Sequence, residues 1–481
     1  MFWTALAGCL TALLLAALLG LLVFRPLLNL ATDRFSRRIF KDPYHENLTE
    51  MLNVTAKIGP LDLVELELRA ETGKPAERPF GSRTIFSPWN KFFFSSVFLT
   101  VRPLPAGFIP EAGTVIGPRA AKPMRLALPI MIAGMAWGNA LSARAKIALA
   151  RGAALAGTAT NTGNGPFLPE ERAAAGLLIV QVTRALWGRD PDVLRQADAL
   201  EVQLGQGALG AASIEVKEAH LRIDPDLRAA LAPYCCNPRI ESTLPEGSRA
   251  EDLRGFVAQL REMAGGIPVG VKIGATDRLE AELDLLLAAE PDFIAIDGAE
   301  GGTHGVGTAL SDTCGLPTLH ALCRADRHLR ARGCRDRLSL IAAGGFFDPG
   351  TILKALALGA DAVYLGTAAL LAAAHGQTEK ATPFEPPTTL LWHDGARARS
   401  FDPERGAYYL AGFLRAVRAE MDQILQILGK ESYGEVSRGD LCCLDRDLAL
   451  LAGVRWAGAP PALEKEGDEW KANPVEVTWK G

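Results

Sequence analysis

From Pro123 onward the chain alternates short apolar runs with stretches whose apolar residues recur every three or four positions. The runs cover 126–132, 157–160, 177–182, 200–204, 268–273, 292–296, 338–342 and 362–365, each of strand length and each followed by glycine or a polar turn. Helical spacing fills most of the gaps, at 142–156, 169–176, 190–197, 249–263, 278–290, 316–332 and 351–358. Strands alternating with helices predict a parallel sheet, and a count of eight predicts its closure into a barrel. The last stretch, 338–370, reads as strand, Gly-Gly turn, helix, strand, Gly-Thr turn and helix start. In such a barrel the loops after strands 7 and 8 form the usual phosphate site. Gly344, Gly345, Gly366 and Thr367 stand where backbone N–H groups would close around phosphate oxygens at a helix N-terminus. Taken alone, the stretch reads equally well as two tight βα turns with no ligand. A doubly wound sheet would carry its glycine-rich turn after the first strand, whereas these turns follow the last two.

Outside the barrel the pattern changes. Residues 4–24 carry no charge and are mostly Leu and Ala, enough to cross a bilayer as a helix. No base precedes this run, while Arg25, Arg34, Arg37, Arg38 and Lys41 follow it. That asymmetry favours an uncleaved single-pass anchor over a signal peptide, with the bulk of the chain on the cytoplasmic side of the cell membrane. A buried helix of a soluble protein would show a polar face, and this run has none. The expected organisation is an anchor over 1–24, an irregular segment over 25–122 packed on the barrel, the barrel over 123–376, and a Pro-rich linker with a helical region over 377–481. Within that last region 408–428 has helical periodicity, and 437–450 reads as another capped helix. The long connection 205–248, holding Cys235, Cys236 and Asn237, is expected to cover the active face. A net charge of −4 gives no electrostatic case for nucleic acid. The eight cysteines include no C-x-x-C, so reduced thiols and no metal site are expected.

The strand ends carry the candidate chemistry. They read Ala133-Gly-Met-Ala-Trp-Gly138, Asn161-Thr-Gly-Asn-Gly165, Glu201-Val-Gln-Leu-Gly-Gln-Gly207, Val271-Lys-Ile-Gly274 and Asp297-Gly-Ala-Glu-Gly-Gly-Thr-His-Gly305. With the Gly-Gly and Gly-Thr turns, this set resembles the FMN-binding domain of glutamate synthase over residues 123–371. The whole chain is similar to the stand-alone, membrane-anchored bacterial members of that family. The resemblance implies a TIM barrel, a (β/α)8 fold, that binds FMN. Lys272 would stand near the flavin pyrimidine, stabilising negative charge where it develops. A lysine paired with a barrel carboxylate is the structural alternative. Met135 and Ala136 would offer backbone to the ring, Gly344, Gly345, Gly366 and Thr367 would hold the phosphate, and Asn161 and Thr162 would line the ring edge or substrate side. Gly301 and Gly302, with Thr303, would let the loop approach the ligand closely. His304 is a candidate acid or base, against a reading as a turn residue.

The departures from the family matter as much. Its iron–sulfur cysteines should follow Gly366-Thr-Ala-Ala-Leu370, where the sequence runs Leu371-Ala-Ala-Ala-His-Gly-Gln-Thr378, so no cluster is expected. No amidotransferase domain with a nucleophilic cysteine is seen before the barrel, so ammonia would arrive free or from a partner. Asn164 replaces the glutamate after Asn-Thr-Gly, and Gln203 replaces the lysine before Gln-Gly-Ala; both positions lie near the keto acid and imine in the family. The expectation is an FMN oxidoreductase reducing a 2-iminoglutarate-like small molecule, with electrons from an external donor. The alternatives are 2-hydroxy acid oxidation, which wants an arginine that 297–305 lacks, and a membrane-tethered flavoprotein for electron transfer or scaffolding. Fold alone does not separate them.

Overall fold

The structure is a computed structural model that describes residues 2–43, 46–47, 49–99, 101–185, 187–234, 238–244, 250–302, 306–377, 386–459, 463–466 and 469–472. The chain forms two compact units, Met1–Ala76 and Glu77–Gly481. The first unit is helical. Its opening helix, Phe2–Phe40, runs well past residue 24, carries Pro26 and buries none of its side chains. It is long and apolar enough to cross a membrane. Two further helices follow, Thr49–Ile58 and Pro60–Thr72. Asn47 starts the first by accepting from the Thr49 N–H at 2.9 Å, and left-handed Gly73 ends the second. The segment expected to be irregular is therefore helical over much of 25–72. Asn47 and the glycines at 59 and 73 that bound the second helix, rather than a long amphipathic period, were the available signal.

The second unit is built on eight parallel strands: β1 Ile130–Ile132, β2 Ala159–Asn161, β3 Leu177–Val182, β4 Ala199–Gln203, β5 Val269–Gly274, β6 Phe293–Asp297, β7 Ser339–Ala343 and β8 Ala362–Leu365. Their order runs β2-β3-β4-β5-β6-β7-β8-β1. The seam between β1 and β2 is spanned by the Thr158 hydroxyl donating to the Ile130 carbonyl and by the Ala127 N–H on the Gly157 carbonyl at 2.9 Å. Each strand is followed by a helix, in turn α1 Ala143–Leu155, α2 Pro169–Ala174, α3 Pro191–Leu194, α4 Ala250–Met263, α5 Leu279–Ala288, α6 Thr318–Ala331, α7 Pro349–Ala357 and α8 Thr367–Ala374, with further short helices at Glu218–Ile223 and Pro225–Leu231 before α4 and at Thr308–Thr313 before α6. All eight strands foreseen from the pattern are present, with one redrawn. The run 126–132 divides into Met124–Leu126 and β1, because Pro129 cannot donate to a ladder. Met124–Leu126 pairs instead with Thr114–Ile116 in a hairpin. Its Ile116, Met124 and Leu126 pack with Met131, Ala159, Ile179, Ala199, Phe293, Ile341 and Ala362 inside the barrel. The hairpin thus fills the N-terminal end and leaves the C-terminal end for chemistry.

Strand alternation sorts the two layers. Leu178, Val180, Leu200, Val202, Val271, Ile294, Leu340 and Val363 join the core between barrel and helices. After α8 the chain forms α9, Pro403–Leu428, which begins at Asp402 and ends at left-handed Gly429. It approaches α1 closely, since a Cβ on Gly152 would lie 2.7 Å from Leu410 Cδ2 and one on Gly406 3.1 Å from Ala148 Cβ. The stretch 437–450 is not one helix. It forms a turn at Arg438–Asp440, a strand at Leu441–Cys443 and a helix at Arg446–Ala452 that starts afresh at Asp445. Ser437 and Asp440 cap only the turn, and Leu441 and Cys443 point one way into the core. This strand pairs antiparallel with Phe92–Phe94 and parallel with Arg455–Trp456.

Candidate functional site

The C-terminal ends of the strands open into a cleft of about 1100 Å³, counted out to its mouth. Met135, Ala136, Asn164, Lys272, Gly301, Gly302, Gly344, Gly345, Gly366 and Thr367 all line it. The first strand end and the two late glycine turns therefore converge on one space. Gly344 and Gly345 have φ of 107° and 76°, a region that L side chains rarely adopt. A Cβ on Gly344 would lie 2.7 Å from the Thr318 hydroxyl and 3.0 Å from the Gly301 nitrogen, so the turn closes only with glycine. Beside it, α8 begins at Gly366 with no side-chain cap, so no side chain of its own cap residue occupies the first N–H groups at this edge of the cleft. Near Gly366 a Cβ would meet only Ala133 Cβ at 3.9 Å, so this wall of the cleft is open.

Not every expected residue reaches the cleft. Asn161, Thr162 and Gln203 are buried beneath it and are absent from its lining. Asn161 instead holds the turn after β2: its Oδ1 accepts from the Gly163 N–H at 2.9 Å. Thr162 accepts from the Gln181 N–H at 3.0 Å. Gly163 packs on the loop after β1, where a Cβ would sit 2.6 Å from the Met135 backbone. Below this turn, the buried Lys146 ammonium donates to the Asn161 carbonyl at 2.8 Å and pairs with Glu171 at 2.9 Å. Gln203 lies level with Lys272 in the ladder and donates to the Gln206 side chain at 3.4 Å. His304, Thr303, Cys235, Cys236 and Asn237 lie outside the described residues.

The floor of the cleft is a polar network inside the barrel. Glu201, wholly buried, accepts from Asn161 Nδ2 at 2.9 Å, Gln181 Nε2 at 2.8 Å and the Tyr364 hydroxyl at 2.7 Å. Lys272 is 3% exposed; its Nζ stands 3.3 Å from Asp297 Oδ2 and 5.6 Å from the Tyr364 ring centroid. Burial alone would lower the lysine pKa, but the charges of Asp297 and Glu201 and the hydrogen bond to Asp297 hold it above its ordinary value. The lysine is thus both paired with a barrel carboxylate and presented to the cleft as a cation. Of this network the sequence reading singled out Lys272 and Asn161 and missed Gln181, Glu201 and Tyr364. The signal was there: Gln181 and Glu201 interrupt apolar strands at inward-facing positions.

Tyr364 gives this network a testable pH signature. Burial, then the charge and hydrogen bond of Glu201, push its phenol well above 10.0. The folded protein therefore keeps a proton that the unfolded chain loses, and stability falls as pH rises from about 10 upward. Tyr364→Phe is expected to make that fall shallower, the remainder belonging to other raised phenols such as Tyr433. Urea unfolding of both proteins across the alkaline range checks this, and identical slopes would mean that the phenol ionises freely.

Residues 108–431, more than half of the chain, match the family described as the conserved region in glutamate synthase. A glutamate synthase large subunit-like protein of Rhizobium meliloti is 31% identical over 423 residues, covering 82% of this chain and 93% of the relative. An archaeal-type glutamate synthase [NADPH] of Thermotoga neapolitana is 32% identical over 355 residues, covering 72% of this chain and 69% of the relative. Among solved structures, a Pediococcus acidilactici protein described as a lactate oxidase superposes with a TM-score of 0.50 at 15% identity, covering 80% of this chain and 95% of that one. At that identity the superposition speaks for the barrel fold alone.

Proposed function

Because the chain belongs to the glutamate synthase family, we propose that it is an FMN-dependent oxidoreductase that reduces a 2-iminoglutarate-like substrate formed from 2-oxoglutarate and ammonia. One observation carries this reading: the Lys272 ammonium and both late glycine turns face the same cleft. The residues fit the cofactor. The Gly344–Gly345 turn and the start of α8 at Gly366 and Thr367 supply backbone N–H groups suited to a phosphate. Met135 and Ala136, in the loop after β1 that adjoins the end of β8, line the same cleft. Bound there, FMN would supply two-electron exchange with the substrate.

The chain's own residues do the positioning. Lys272, kept protonated by Asp297 and Glu201, offers a fixed positive charge in a site removed from bulk water, where it is worth more than in solution. Glu201, Gln181 and Asn161 lock the floor so that this charge need not reorganise. Asn164 lines the substrate side as a neutral amide where the family carries a carboxylate. Electrons would come from an external donor, and ammonia free or from a partner. The apolar Phe2–Phe40 helix supports a membrane-held form, and the bases Arg25, Arg34, Arg37, Arg38 and Lys41 after its apolar run would set the barrel on the cytoplasmic side.

The test is anaerobic. FMN-loaded, chemically reduced protein is expected to be reoxidised by 2-oxoglutarate with ammonium, and not by either alone or by pyruvate. A protein that binds no FMN, or whose reduced form ignores that pair, would sink the proposal.

A further inference from the structure

Residues 95–110 run outside the barrel, between the strands Phe92–Phe94 and Thr114–Ile116. Their backbone is held at several points on the C-terminal end of α9. The Val97 N–H donates to the Ile427 carbonyl at 3.0 Å, and the Leu104 N–H to the Gln426 carbonyl at 2.9 Å. The Gln426 side chain donates in turn to the Phe108 carbonyl at 2.8 Å. Left-handed Gly429 lets the chain pass close by, since a Cβ there would lie 2.6 Å from the Arg102 carbonyl oxygen. Pro103, Pro105 and Pro110 stiffen the stretch further. A loop so firmly placed in water is expected to show a polar surface. This one shows the reverse: Phe98 is 76%, Leu99 96% and Ile109 73% exposed, and Val101 is exposed as well.

Single apolar side chains on a surface need no explanation, but four in one short stretch do. Charge narrows the choice of partner. Arg102 is the only charged residue from 95 to 110, and it is exposed. Asp440, whose carbonyl accepts from the Ser95 N–H, has its carboxylate held by Lys430 at 3.2 Å. Apolar tips with a base and no acid suit the headgroup boundary of an anionic bilayer. Leu99 touches almost nothing, so it projects. Fluid lipid closes round a projecting side chain, whereas a protein partner would need a matching socket. The chain also carries the apolar Phe2–Phe40 helix, and a span in the bilayer keeps what is joined to it at high effective concentration near lipid. Resting on the membrane-held reading above, we propose that Phe98, Leu99, Val101 and Ile109 dip into the surface of the same membrane as a second, interfacial contact. Arg102 meets the anionic headgroups there.

Photocross-linking of the full chain in vesicles of equal parts phosphatidylcholine and phosphatidylglycerol tests this. The photoreactive p-benzoylphenylalanine is placed at Leu99, at Leu14 in the first helix, or at Tyr408, an exposed position about 30 Å back along α9. Adducts are identified by mass. Lipid adducts are expected from positions 14 and 99, and not from 408. Phe98→Asp, which sets an acid on the acid-free tip, is expected to abolish the adduct at 99 and spare the one at 14. Lipid adducts at 14 with none at 99 would overturn the second contact and leave the span standing. So would adducts at 99 to a second copy of the chain instead of lipid, equal lipid yields at 99 and 408, or a yield at 99 that ignores Phe98→Asp. Lipid adducts at neither 14 nor 99 would remove the membrane-held form, and this proposal with it.

Discussion

Lys272→Met is expected to lower turnover with 2-oxoglutarate and ammonium by about 100- to 1000-fold, the usual effect of removing one preorganised charge from a reacting centre. The methionine has a similar stem, so the volume of the site is nearly kept. What disappears is a cation fixed 3.3 Å from Asp297. The expected loss lies in kcat, because a charge that acts where negative charge develops stabilises the transition state more than the bound substrate. FMN affinity, read separately by titration, is expected to change far less, since on the proposed reading the late turns, and not this lysine, would hold the phosphate. A parallel fall in both quantities would show that Lys272 merely holds the cofactor. An unchanged kcat would remove it from the chemistry.

The second large effect concerns the floor. Glu201→Gln conserves volume, yet it sets an amide N–H₂ among groups that all donate: Asn161 Nδ2, Gln181 Nε2 and the Tyr364 hydroxyl. It also removes a negative charge that helps hold Lys272 protonated. Breaking a buried charged network from one side costs about 3–5 kcal/mol. Chemical denaturation of parent and variant measures it, and a difference below roughly 1 kcal/mol, the scale of one ordinary hydrogen bond, would mean that the network is not a unit. The two substitutions are close enough to couple, and a double-mutant cycle reads that coupling directly.

Much of this architecture was legible before any coordinates. Short apolar runs such as 177–182 and 362–365 coincide with β3 and β8 because each lies wholly within the sheet and is followed by glycine or a polar residue. Gly344 and Gly345 were legible for a related reason: positive φ and close backbone approach strongly favour glycine there. What the pattern concealed was decided by distant partners. Leu441-Cys442-Cys443 became a strand only because Phe92–Phe94 lies beside it. Asn161 and Gln203 were expected in the cleft, yet their positions on β2 and β4 place them one layer down, as supports for the turns above.

The three-stranded sheet outside the barrel has a consequence for synthesis. Phe92 faces Cys443 across almost the whole length of the barrel sequence, so a nascent chain leaving the ribosome cannot complete that sheet until its C-terminal part has emerged. Closing so long a loop is slow. Meanwhile Phe92, fully covered in the finished fold, stays exposed on a half-made protein, which makes the interval before release the one in which a chaperone matters most.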